Sequence, residues 1–178
     1  FETKRAGVRI AVLGLTTDDW EYSWMSGPGF IYNPIWEAIE DLPALKRRND
    51  IVIALTHLGV SKDKTLIRQT AQLDLVVGGH SHTALHKPSS AVDLRGRTVP
   101  IVQAGNHGEY VGDLLVDVEP GKPLQILRYQ LIPISSSGPK DHAMEKVAEN
   151  ARAELEYDYG KEWLAEVVGH ADVPFVNA

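Results

Sequence analysis

The sequence predicts an α/β protein in which a parallel βαβ part is followed by antiparallel strands and a long carboxy-terminal helix. Three observations predict it. Residues 8–15 are strongly apolar and 51–55 and 75–77 continuously so, the signature of strands buried on both faces. They alternate with segments of helical periodicity, an order that builds a parallel sheet with helices on its faces. Beyond Pro88 the strand candidates follow one another through glycine and proline turns with no helix between them.

Residues 8–15 close in Gly14-Leu15-Thr16-Thr17, as an interior strand ending in a polar loop does. Residues 18–32 read as a loop rich in glycine, aromatics and acid. Trp20, Tyr22, Trp24 and Phe30 in it either line a pocket or anchor the loop by burial. Asn33-Pro34 opens a helix, with asparagine as cap and proline in the first turn. Ile35, Ala38, Ile39 and Leu42 recur at helical spacing, and Pro43 is expected to kink or interrupt that helix. Asp50 then leads into the 51–55 strand, which runs into Thr56-His57-Leu58-Gly59. Residues 61–72 read as a short polar helix. Asp74 starts a strand through Leu75-Val76-Val77 into Gly78-Gly79-His80-Ser81-His82-Thr83.

Residues 99–103, 112–118 and 124–134 are three further strand candidates, an antiparallel extension or a second sheet. Residues 134–139 have a flexible linker composition, which divides the chain into segments 1–134 and 135–178. Asp141 caps a long helix whose Met144, Val147, Ala148, Ala151 and Leu155 make a narrow apolar stripe, and Gly160 ends it. Residues 167–171 look like the start of another strand.

At 178 residues the chain is long enough for one good-sized domain. A net charge of -6 excludes the basic surface that nucleic-acid polymers require. The densest cluster, Lys46-Arg47-Arg48, falls at a helix end, where cations complement the dipole. Cysteine is absent, so a metal here is held by histidine, carboxylate, amide or water. No apolar run approaches the roughly 20 residues of a membrane span. The start Phe1-Glu2-Thr3-Lys4-Arg5 lacks the layout of a secretory signal, which leaves export of a longer parent chain open.

Ligand sites in parallel sheets lie beyond the carboxyl ends of the strands, and His57, His80 and His82 fall there. In extended backbone alternate side chains share a side, so His80 and His82 face one point while Ser81 faces away. The two glycines allow close approach, and imidazole is a common ligand of divalent metals. A single cluster of the three imidazoles is therefore expected. Thr56 is a candidate substrate-lining residue. So are Asn106 and His107 of Ala104-Gly105-Asn106-His107-Gly108, unless that segment is only a turn with a solvated histidine. His86, His142 and His170 have no ligand-like context.

With Thr56-His57-Leu58-Gly59 followed by Gly78-Gly79-His80-Ser81-His82-Thr83, the chain resembles the second half of the calcineurin-like metallophosphoesterase domain. The branch is that of bacterial 5'-nucleotidases and 2',3'-cyclic-nucleotide phosphodiesterases. Residues 10–17, Val102-Gln103-Ala104-Gly105 and Tyr110-Val111-Gly112 agree with it. The resemblance implies half of an αββα sandwich, with 1–134 in the catalytic domain and the helix from Asp141 as the connector to a nucleotide-binding domain. It implies that His57 and His80 bind one metal of a dinuclear centre and His82 the other, the metals being Zn, Mn, Mg or Ca. The reaction implied is hydrolysis of a nucleotide or other phosphate ester, with two cations about 3.5–4 Å apart activating water and clamping the phosphoryl group. A periplasmic or extracellular location is implied as well.

The family's first half supplies an Asp-x-His, a bridging Gly-Asp and an Asn-His pair, and none of these precedes Val8. Gly105-Asn106-His107 has the letters of the last but the wrong order relative to His80, so no catalytic residue is assigned. The resemblance thus implies an interior piece of a larger enzyme. Three neutral imidazoles bring no negative charge to hold two cations together, so this piece is expected to bind at most one metal and to hydrolyse esters poorly. It is also expected to expose a sheet edge or a core face to its missing amino-terminal half or to a second copy. Other histidine-rich hydrolases fit less well: a metallo-β-lactamase continues His-x-His with Asp-His where Thr83-Ala84 stand, and an amidohydrolase barrel needs about 250 residues. The alternative from another class is a non-catalytic α/β binding or scaffold module.

Overall fold

A six-stranded mixed sheet organises the larger part of the chain. In the computed structural model, which describes residues 1–18, 33–119, 121–135, 137–170 and 172, its strands are Glu2–Arg5 (β1), Val8–Leu15 (β2), Ile51–Thr56 (β3), Leu75–Val77 (β4), Ser89–Val92 (β5) and Thr98–Val102 (β6). Their order is β1-β2-β3-β4-β6-β5. The four inner strands run parallel, and β1 and β5 pair antiparallel at the two edges. The 99–103 segment therefore joins the parallel core beside β4 rather than starting an antiparallel extension. The expected antiparallel part is the separate hairpin Tyr110–Asp117 (β7) and Gln125–Pro133 (β8). The aromatics expected in the 18–32 loop lie outside the described residues.

Helix Pro34–Arg48 (α1) is capped as its sequence predicts, Asn33 Oδ1 accepting from the Trp36 amide. It runs through Pro43 without stopping. A proline forfeits one intrahelical bond, and the burial of Ala38 and Leu42 before it, with Leu45 packed on the core after it, outweighs the loss. The second helix, Val60–Arg68 (α2), is shorter than the 61–72 segment read from polarity. Ala11, Val52, Ala54, Val76 and Ile101 meet Ala38, Leu42, Leu66 and Ile67 in one buried cluster, so both helices cover the same sheet face.

The opposite face is also apolar, and it is less buried than the first. Register sets Val12 beside Ile53 and Leu55 beside Val77, and Leu55 is 53% exposed. At one end of that face Val77 and Val102 form, with Leu114 and Tyr129 of the hairpin, an open cavity of about 260 Å³. The edge of β2 is paired, because the charged strand β1 covers it, and charged residues discourage further strand addition.

The chain divides into two units, Phe1–Ser135 and Ser136–Ala178. The second contains helix His142–Tyr159 (α3), where the Asp141 side chain accepts from the amides of Ala143 and Met144, and Gly160 at φ 87° ends the helix. None of its described residues is buried, and the stripe of Met144, Val147 and Leu155 stays exposed. Residues 167–170 form no strand, and Val168 is 94% exposed. Two adjacent valines favour extended backbone, but among the described residues they have no partner strand to fix it. Among the described residues no helix is long and apolar enough to cross a membrane.

At the end of the sheet away from the histidines, Asp74 ties three elements together. Its carboxylate accepts from Lys46 Nζ of α1 at 2.6 Å, the Val52 amide of β3 at 2.8 Å and Arg97 at 3.4 Å. Its side chain is nearly buried, so losing it takes the acceptor from the Val52 amide and the nearest carboxylate from Lys46, while Arg97 keeps Asp93. Asp74→Ala is expected to destabilise the fold by about 3 kcal/mol, measured as a lowered midpoint in urea unfolding; a loss below about 1 kcal/mol counts against the network's structural role.

Candidate metal centre

The loops that follow β3 and β4 lie side by side at the carboxyl rim of the sheet. The Gly59 amide donates to the Gly79 carbonyl at 3.0 Å, and the His57 amide donates to the Leu15 carbonyl at 2.8 Å. His57 and His80 project from these loops with ring centroids 5.1 Å apart, edge to face. Gly79 makes the approach possible, since a Cβ there would stand 3.0 Å from His57 Nδ1.

His82 has a different ring neighbour. Its ring centroid lies 6.0 Å from that of His107, and its Nδ1 lies 3.4 Å from Asn106 Nδ2. Ring contacts thus join His57 to His80 and His82 to His107, with Asn106 beside the second pair. The reason lies in the backbone. Strand β4 ends at Val77, and His80 and His82 are left-handed, at φ 79° and 53°, so the alternation of extended chain does not apply to them. Such values are uncommon outside glycine and cost of order 1–3 kcal/mol, strain that collects at functional sites. His107 shares the conformation at φ 53°. Ser81 does turn away from the rings: its hydroxyl donates to Gln103 Oε1 and accepts from the Val60 amide at the start of α2.

Thr56, expected to line a substrate site, is buried instead. Its hydroxyl donates to Asp63 Oδ1 at 2.7 Å. Asp63 is fully buried, and its Oδ2 has no hydrogen-bond partner among the described residues. Gly78 makes room for it, because a Cβ at that position would fall 2.6 Å from Oδ2. The reading of α2 as a polar helix missed Asp63, although its spacing to Leu66 and Ile67 puts it on the buried stripe.

Two neutral nitrogens from His57 and His80 fit part of the ligand set of one cation, since rings at this separation can both reach an ion about 2.0–2.1 Å from a nitrogen of each. Among the described residues no group of three or more histidine or carboxylate side chains is close enough to complete a site. Further ligands therefore have to come from water, substrate or another segment.

No family model matches the chain. Curated relatives do. It is 30% identical over 94% of its length to the trifunctional nucleotide phosphoesterase protein YfkN of Bacillus subtilis and 29% identical over 93% to the 5'-nucleotidase of Mus musculus. The chain belongs to the 5'-nucleotidase family of nucleotide phosphoesterases. It spans 11% of the Bacillus protein and 31% of the mouse protein. Among solved structures, the 5'-nucleotidase precursor from Thermus thermophilus matches 90% of the chain, and 34% of that protein, at 24% identity with a TM-score of 0.76. That likeness establishes the shared fold.

Burial pushes the Asp63 carboxyl up to about 6, against the opposing pull of the Thr56 hydroxyl. Unfolded chain gives up this proton near 3.8, so between these values the folded form holds a proton that the unfolded form has lost. The stabilising contribution is full below about 3.8 and is lost as the pH rises through about 6. Asp63→Asn keeps an acceptor for Thr56 and does not ionise. Urea unfolding from pH 4 to 7 is expected to show wild type losing on the order of 3 kcal/mol relative to this variant. Parallel pH profiles for the two proteins contradict the assignment.

Proposed function

We propose that this chain is the histidine-bearing part of a dinuclear-metal phosphoesterase that hydrolyses nucleotide phosphate esters, of 5'-nucleotidase or cyclic-phosphodiesterase type. Taken alone it is inactive or nearly so. The observation that supports this best is the approach of His57 to His80, 5.1 Å between centroids, on two loops bonded to each other at the rim of a parallel sheet. The family of the relatives supplies the reaction class.

In this reading His57 and His80 hold one divalent cation and His82 contributes to a second. Bound ions supply Lewis-acid activation of water and neutralise charge on the phosphoryl oxygens. The residues of this chain do the rest of what it contributes. His57 and His80 offer neutral nitrogens on a backbone that the Gly59 to Gly79 bond holds in place. Such donors favour zinc over magnesium or calcium. Asn106 and His107, beside His82, can donate hydrogen bonds to a phosphate ester. The imidazoles bring no negative charge, so the carboxylates that keep two cations together come from the part of the domain outside this chain. That part also covers the apolar face of Val12, Ile53, Leu55 and Val77. Residues 1–134 are then the second half of the catalytic domain, and α3 is the connector towards a nucleotide-binding domain. The family resemblance extends the proposal to a periplasmic or extracellular setting.

Titration calorimetry with zinc is expected to show at most one ion per chain. His57→Ala and His80→Ala each weaken that binding at least about tenfold, while His142→Ala, whose ring meets Glu145 on α3, leaves it unchanged. Hydrolysis of adenosine monophosphate stays close to the blank. Two tightly held ions per chain together with turnover overturn the reading.

A further inference from the structure

The histidine loop is fastened from beneath by one buried side chain. Gln103 follows β6 directly and is 2% exposed. Its Oε1 accepts from the Thr83 amide at 2.7 Å and from Ser81 Oγ at 3.1 Å, while its Nε2 donates to the Gly79 carbonyl at 3.2 Å. These bonds reach residues 79, 81 and 83, which bracket His80 and His82. The carboxamide has one possible orientation, because the Thr83 amide can only donate and the Gly79 carbonyl can only accept.

We propose that Gln103 is the positioning residue of this loop, its carboxamide holding His80 and His82 in their left-handed conformations and so setting their affinity for a divalent cation. The backbone at His80 and His82 is strained, and strain persists only where the surroundings over-determine it. The Ser81 hydroxyl carries the tether onward to the first amide of α2, a helix with no side-chain cap of its own. Loop, helix start and strand end are thereby held as one unit. The carboxamide bonds to backbone and to the Ser81 hydroxyl rather than to an imidazole. It acts through backbone, as outer groups do when they orient the ligands of a metal.

The consequence for metal affinity rests on the proposed metal reading, so two readouts are needed. Gln103→Met keeps length and removes every polar contact. Gln103→Ala removes the same contacts, leaves room for water to meet the freed groups, and serves if the first variant does not fold. In the metal-free chain, hydrogen exchange of the Thr83 amide is expected to accelerate at least about tenfold in Gln103→Met, while strands β2 and β3 keep their protection. Cobalt(II) titrated into the folded variants is expected to bind about 10–100-fold more weakly, with altered visible bands. A folded Gln103→Met, or a Gln103→Ala in its place, with unchanged Thr83 exchange and wild-type cobalt affinity and spectrum overturns the proposal. So does an affinity loss that merely follows global stability. Absence of cobalt binding by wild type overturns the metal reading instead, and the exchange measurement then decides the positioning role by itself.

Discussion

The carbonyl of Gly79 receives hydrogen bonds from the amides of Gly59 and Ser81 and from the carboxamide of Gln103. This convergence is what allows two loops from different strands to share a rim. Each loop is a short glycine-rich connection, and the first is anchored in the core by Leu58, 2% exposed. Without the convergence at Gly79 the two histidines that follow β3 and β4 have no fixed relation. Gly78 and Gly79 serve it by space rather than by conformation, since a side chain at either would press on Asp63 or His57.

Asymmetry of the sheet gives the second constraint. One face carries α1 and α2 over fully buried residues, and the other presents Val12, Ile53 and Val77 half-buried and Leu55 exposed among the described residues. An apolar face of this kind can receive a further layer. The hairpin β7–β8 closes only one end of it, around the cavity beside Val77 and Val102. Strand β1 has the opposite character. Its charged sequence closes the edge of the sheet, which directs any further layer to the face.

Much of this was legible in the sequence where a rule is local and strong. The parallel order of β2, β3 and β4 followed from apolar runs alternating with helices, and the caps at Asn33 and Asp141 followed from residue type and position. The positions of His57 and His80 at strand ends followed from the same pattern. The rest depended on tertiary contacts. Strand β5 is too short and polar to announce itself, and it forms because β6 pairs with it. The extended backbone assumed for His80 and His82 failed because three bonds from Gln103 impose another conformation on the loop. Polar residues at strand ends usually meet solvent, whereas Thr56 turns inward because the buried Asp63 carboxyl accepts its hydrogen bond.

The left-handed backbone at positions 80, 82 and 107 narrows the alphabet those sites can accept. Branched and bulky residues are excluded there by the clash of Cβ with the neighbouring carbonyl, whereas asparagine, aspartate, histidine and glycine are tolerated. Apart from glycine, each of these carries a nitrogen or oxygen able to bind a cation or an anion. Drift at these positions is therefore biased toward exchanging one donor atom for another, so the rim can change its ligand preference more readily than it can become apolar.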